Sequence, residues 1–198
     1  MTGRMLVPAG REIDAVIIGG SAGGLEAMLR ILSALPAGYR LPLIALLHLP
    51  GNGDSKLAEV LGARLAIPVE EAVDKARIMP GTLYIAPGGY HLLVEQDRSF
   101  ALSCEAPVHY SRPSIDVLME SAADAWGPRL AGILLTGAND DGAEGLARIG
   151  EHGGLTVVQD PHEAAIPTMP RAAMKRRAPD LVLPLDRIRA LLLELEGH

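Results

Sequence analysis

The chain has 198 residues, a net charge of −6, 48% apolar residues and only 3% aromatics. This length suits one domain with a substantial core rather than two, and the acidic balance argues against a general affinity for nucleic acid or anionic membrane. The single cysteine, Cys104, rules out an internal disulfide framework and is expected in the core or a strand; with no HExxH or CxxC spacing, no metal centre is expected. The N-terminus lacks a signal-peptide pattern and no run approaches a membrane span, so a cytoplasmic protein without membrane insertion is expected.

Residues 1–12 read as a short lead-in, and 13–198 as a single domain. "AVIIGG" (15–20) is a buried strand ending in glycine, and "GLEAMLRILSAL" (24–35) follows with helical spacing of Leu25, Met28, Leu29, Ile31, Leu32 and Leu35. "LPLIALLHLP" (41–50) is a second buried strand, and "DSKLAEVLGARL" (54–65) is a helix capped by Asp54. "PVEEA" (68–72) and "GTLYIAP" (81–87) are further strands, and 90–104 folds as an antiparallel hairpin around "EQDRS". A helix over 112–126 carries Pro113 near its start, and "RLAGILLTG" (129–137) is the most apolar strand. After a loop and helix over 138–154 come a strand at 155–160, a Pro-rich loop at 161–170 and a short helix from Arg171. That helix ends near Lys175-Arg176-Arg177, where the positive charges suit the helix dipole. A strand at 181–185 and a terminal helix close the chain. This alternation predicts an α/β fold: a doubly wound, mostly parallel sheet with helices on both faces and an antiparallel hairpin.

In such a sheet, functional groups gather at the carboxyl ends of the strands. "AVIIGG" delivers Ser21 there, "LIALL" delivers His48, and "AGILLTG" delivers the loop with Asp140 and Asp141. The glycine loop around Ser21 fails as a dinucleotide fingerprint, because Ser21 or Ala22 occupies the middle glycine position. It fails as a P-loop, because Gly24 is followed by Leu25 and Glu26. It does satisfy G-x-S-x-G between a strand and a helix, the turn that presents a nucleophile. Taken singly, each residue has a plainer reading. Ser21 reads as an N-cap, His48 as a partner of loop carbonyls, and Asp141 or Asp140 as a cap for the following helix. Those readings leave unexplained why a hydroxyl, an imidazole and a carboxylate share one sheet edge.

Six segments, "VIIGGSAGGLEAM", "LLHLPGNG", "PGTLYIAPGGYHLLVE", "YSRPSIDVLMESAA", "GILLTGANDDGAEGL" and "GGLTVVQDPHEAAIPTMPRAA", run in the same order as in one known family. Over about residues 13–195 the chain resembles the catalytic domain of CheB-type chemotaxis protein-glutamate methylesterases. The resemblance implies a Ser-His-Asp triad of Ser21, His48 and Asp141, acting on glutamate γ-methyl esters, with glutamine deamidation on similar sites and no cofactor. Its implied partner is the cytoplasmic helical domain of methyl-accepting chemotaxis receptors. Because typical members carry a receiver domain in front, a signalling-pathway regulator acting in trans is also expected. Two departures stand out: Ala22 where the family often has Thr, and Ala138 in place of the methionine of enteric-type acidic loops. Asp140 adds a second charge expected to perturb His48. Backbone N–H groups of Ala22 and Ala138 are the expected oxyanion donors. Arg112, His109 and the 161–170 loop, including Met169, are expected to line a flat substrate surface. The rival readings are a catalytically silent receptor-binding module of the same fold and a nucleotide-binding oxidoreductase.

Overall fold

The computed structural model describes residues 11–48 and 56–196. The first half of the chain runs β1 (Ala15–Gly20), α1 (Gly24–Leu32), β2 (Leu43–Leu47), α2 (Leu57–Gly62), β3 (Val69–Glu71), β4 (Leu83–Ile85), β5 (His91–Val94) and β6 (Phe100–Ser103). The second half runs α3 (Ile115–Trp126), β7 (Leu130–Leu134), α4 (Ala143–Glu151), β8 (Leu155–Gln159), α5 (Thr168–Arg176), β9 (Leu181–Leu183) and α6 (Leu185–Leu195). Seven strands form an all-parallel sheet in the order β3-β4-β2-β1-β7-β8-β9, and β5 pairs with β6 as a separate antiparallel ribbon. The doubly wound architecture and the hairpin are as the sequence predicts.

The period-2 alternation of strand side chains divides the core in two. Val16 and Ile18 of β1, with Leu43, Ala45 and Leu47 of β2, face a layer made by α1, α2 and α6. Ala15, Ile17, Ile44 and Leu46 face the opposite layer of α3, α4, α5 and the hairpin. Central strands buried on both faces have to be apolar along their whole length, which explains the unbroken runs of Ile, Leu, Val and Ala. From β1 the chain first winds outward through β2, then returns to add β7, β8 and β9 on the other side. The winding therefore reverses between β1 and β7, so a crevice is expected at their carboxyl ends.

Several boundaries differ from the sequence reading. The helix predicted from residue 112 starts at Ile115, with Ser114 as its N-cap and a cis Arg112–Pro113 bond before it. The last short helix begins at Thr168 rather than Arg171, because Pro170 fits a first turn, where its missing N–H costs no intrahelical bond. Cys104 corrects the core expectation: it lies just beyond β6, where the chain leaves the hairpin, and is exposed. The predicted cap Asp54 lies outside the described residues. Lys175 and Arg176 do occupy the last turn of α5, and Arg176 pairs with Glu144 of α4. No helix among the described residues is long and apolar enough to cross a membrane.

Candidate active site

Ser21 directly follows β1, and two hydrogen bonds hold its backbone. Its N–H donates to the Thr136 carbonyl at 2.9 Å, and its carbonyl accepts from Gly24 N–H at 2.7 Å. The N-cap of α1 is Gly23, with no side-chain cap, so the capping reading of Ser21 does not hold. Its hydroxyl makes no hydrogen bond among the described residues. Two of the surrounding glycines have separate physical reasons. Gly23 has φ +78°, and a Cβ there would come within 2.8 Å of the Ala165 methyl. A Cβ on Gly19 would lie 2.5 Å from Ile115 Cγ2, so this glycine lets the first residue of α3 settle against β1.

His48 stands beside Ser21 because β1 and β2 run in parallel register to their ends, Gly20 opposite Leu47. His48 N–H continues the ladder by donating to the Gly20 carbonyl at 3.1 Å. Its Nε2 lies 2.9 Å from Asp141 Oδ2, the separation of a charge-assisted hydrogen bond. The ring N–H is not aligned on that oxygen, so a small rotation of the imidazole is needed to complete the bond. With Nε2 turned to the carboxylate, Nδ1 is the nitrogen left for the serine. No hydrogen bond links Ser21 to His48 among the described residues.

Asp141 is fully buried, and three donors bind its carboxylate. Oδ1 accepts from Ser114 Oγ at 2.8 Å and Asp116 N–H at 3.0 Å, and Oδ2 accepts from Ile115 N–H at 2.8 Å. Burial pushes this carboxyl up. The His48 contact and the bonds from Asp116, Ile115 and Ser114 outweigh that penalty and hold it below the usual carboxylate range. Its donors are the first amides of α3, so Asp141 caps a helix other than the one it precedes. The expected cap for α4 is replaced by Gly142, which makes no side-chain cap.

Asp116 returns the favour. From the first turn of α3, its Oδ1 accepts from Gly145 N–H in the first turn of α4 at 2.7 Å. Each helix thus supplies, or is preceded by, the carboxylate that satisfies the other's orphan N–H groups. Asp116 lies in the same buried pocket as Asp141, and its carboxyl is pushed up to about 6. Burial is the main cause, with the neighbouring Asp141 charge adding to it and the Gly145 bond opposing it. His109 lies over the pair, its Nε2 3.3 Å from Asp116 Oδ2 and its Nδ1 3.5 Å from Asp140 Oδ1. Asp140 therefore pairs with His109 rather than with His48.

The remaining predicted residues fall into two groups. Ala22 and Ala138 are exposed at the sheet edge, and neither amide donates to another group among the described residues. The Ala22 carbonyl is fixed by Thr136 Oγ1 at 2.9 Å. His109 is half exposed at the rim. Arg112 has a structural use: its Nη1 holds the carbonyls of Cys104 and Glu105 at 3.0 and 3.1 Å, stapling the loop before α3. Met169 is fully buried. It packs so tightly beneath Gly137 that a Cβ on that glycine would meet Met169 Cε at 2.5 Å, so it supports the loop from below and does not line an open surface. Among the described residues, no three His, Cys, Asp or Glu side chains are grouped to hold a metal ion.

Sequence reasoning passed over Ser114, Asp116, Thr136 and His91. Thr136 Oγ1 also accepts from Ile166 N–H at 2.8 Å, tying the 161–167 loop to the Ser21 turn. Only the Pro-Ser pair before an apolar helix hinted that Ser114 would be a cap. Nothing local marked the others.

An all-parallel sheet with a hydroxyl, an imidazole and a buried carboxylate at its switch point is an architecture found among α/β ester hydrolases. A family model described as CheB methylesterase matches residues 16–192, and the chain belongs to that family. A Leptospira interrogans relative, provisionally named protein-glutamate methylesterase/protein-glutamine glutaminase, is 44% identical over 185 residues, covering 93% of this chain and 96% of the relative. The protein-glutamate methylesterase FrzG of Myxococcus xanthus is 38% identical over 179 residues, which cover 90% of this chain but 54% of FrzG. The crystal structure of the Thermotoga maritima CheB methylesterase catalytic domain superposes with a TM-score of 0.87 at 29% identity, covering 93% of this chain and 99% of that one.

Proposed function

We infer that the protein hydrolyses glutamate γ-methyl esters on the cytoplasmic helices of methyl-accepting chemotaxis receptors, with Ser21 as nucleophile, His48 as base and Asp141 as its partner. The observation that carries this reading is the 2.9 Å approach of His48 Nε2 to a fully buried, charge-stabilised Asp141, beside a serine whose hydroxyl is not spent on capping. In this reading His48 Nδ1 takes the Ser21 proton as Oγ attacks the ester carbonyl, and Asp141 steadies the imidazolium through Nε2. The oxyanion is met by the amides of Ala22 and Ala138. His48 then gives its proton to the departing methoxide. Methanol leaves a glutamyl ester on Ser21, and water, activated by the same imidazole, releases the glutamate and restores the serine. The same steps on a glutamine side chain release ammonia, which supports the glutaminase activity named for the Leptospira relative.

The test is methanol release from methylated receptor by the wild-type protein and by Ser21→Ala. The expected result is turnover by wild type alone; equal release by both sinks the reading. A fluorophosphonate that labels Ser21 separates an active hydrolase from a silent receptor-binding module.

A further inference from the structure

We propose that His91 is a positioning residue for Asp141, acting through Ser114 and the first turn of α3. The inference rests on the triad reading above. His91 opens β5 and is 1% exposed, well away from any solvent-borne substrate. Its Nε2 is 3.1 Å from the Ala106 carbonyl, which can only accept, so Nε2 carries the hydrogen. Its Nδ1 is 3.2 Å from the Ser114 N–H, which can only donate, so Nδ1 holds a lone pair. The two contacts fix a neutral ring in one tautomer and leave neither nitrogen free.

Ser114 is the N-cap of α3, and its hydroxyl donates to Asp141 Oδ1. The next two amides, Ile115 and Asp116, bind the same carboxylate. Thus His91 holds the N–H of the residue whose side chain, together with the two amides that follow, holds Asp141. A ring carried by hairpin strand β5, and anchored to the Ala106 carbonyl in the loop after β6, thereby sets where the carboxylate stands relative to His48. Among the described residues, the only polar groups bonded to the His91 ring are the Ala106 carbonyl and the Ser114 amide, and no ion pair reaches it. His48 faces Asp141, with Asp116 behind that carboxylate and His109 and Asp140 beyond it.

The experiment compares His91→Leu, His91→Asn and His91→Phe in methanol release, with active sites counted by fluorophosphonate and thermal melting recorded alongside. In His91→Leu, kcat per active site is expected to fall about 10-fold, the scale of rate lost when a site group is misplaced by a fraction of an ångström, with KM within about twofold. His91→Asn, which restores an acceptor toward Ser114, returns kcat per site to the wild-type value. A His91→Leu protein with wild-type kcat per site, whatever its melting temperature, overturns the proposal and leaves His91 a packing residue. If His91→Leu does not fold, His91→Phe, which keeps a ring but offers no acceptor to Ser114, decides: a lowered kcat per site at unchanged KM supports the relay and a wild-type kcat overturns it. The inactivity of Ser21→Ala in the same assay keeps a failure here distinct from a failure of the triad.

Discussion

Asp141 keeps its charge in full burial because three donors at the start of α3 bind it and His48 Nε2 stands 2.9 Å from its Oδ2. Replacing one carboxylate oxygen by an amide puts an NH2 against donors. Asp141→Asn is therefore expected to lower kcat by about 10⁴-fold, the scale seen when a triad carboxylate is lost, measured as methanol release. Asp116 has the opposite electrostatic character. Its folded carboxyl titrates at about 6 against an ordinary 3.8, so between those values the folded chain holds a proton that the unfolded chain has released. Stability then falls as pH rises through that window. Asp116→Asn retains an acceptor for Gly145 and cannot titrate, so urea midpoints should lose this decline. Asp141 works in reverse: its depressed carboxyl contributes stability above the ordinary carboxylate range, lost as pH falls toward its folded value. Ser21, His48 and Asp141 were legible in the sequence because each follows an apolar strand, and strand ends are local features. His91, Ser114 and Asp116 were not, because the bonds that tie them into the site span 23 to 29 residues, and in two of those three the partner is a backbone amide, which any residue type supplies. The exposure of Cys104 was equally hidden, since it depends on where the chain leaves the hairpin.

At the scale of elements, α3 and α4 meet at their N-termini and exchange carboxylates. Two positive helix ends in contact would repel, and Asp116 and Asp141 neutralise them. Close approach is needed for this exchange, and Gly145 permits it: a Cβ there would lie 2.6 Å from Met119 Cβ and 3.0 Å from both the Asp116 Cα and carbonyl oxygen. Backbone atoms cannot swing aside, so Gly145→Ala is expected to cost about 1–3 kcal/mol in urea unfolding and to lower kcat as well. The sequence showed both helices from their apolar spacing. Their contact was not legible, because a lone glycine inside a helix marks a close neighbour without naming it.

For the whole molecule, the two faces of the sheet divide their tasks. The α3–α4–α5 face holds Asp141 and its donors, whereas α1, α2 and α6 form the opposite layer. Tyr39, 2% exposed, donates to the Leu192 carbonyl of α6 at 3.1 Å, and burial holds its hydroxyl protonated far above the usual range. Tyr39→Phe should cost about 1 kcal/mol in a denaturation curve and leave kcat unchanged, because its bond is to α6, which carries none of the site residues. The alternating elements made this architecture legible from the sequence, since a doubly wound sheet follows from order and handedness.

The exchanged carboxylates also link the site to the breathing of the fold. Neither first turn can fray alone, since opening α3 strips Asp141 of its donors and opening α4 strips Asp116. The amides of Ile115, Asp116 and Gly145 should therefore exchange with deuterium in one concerted event, at a free energy below that of global unfolding. Mild denaturant that populates this opening would silence the enzyme while the far layer, with its Tyr39 anchor, still protects its own amides.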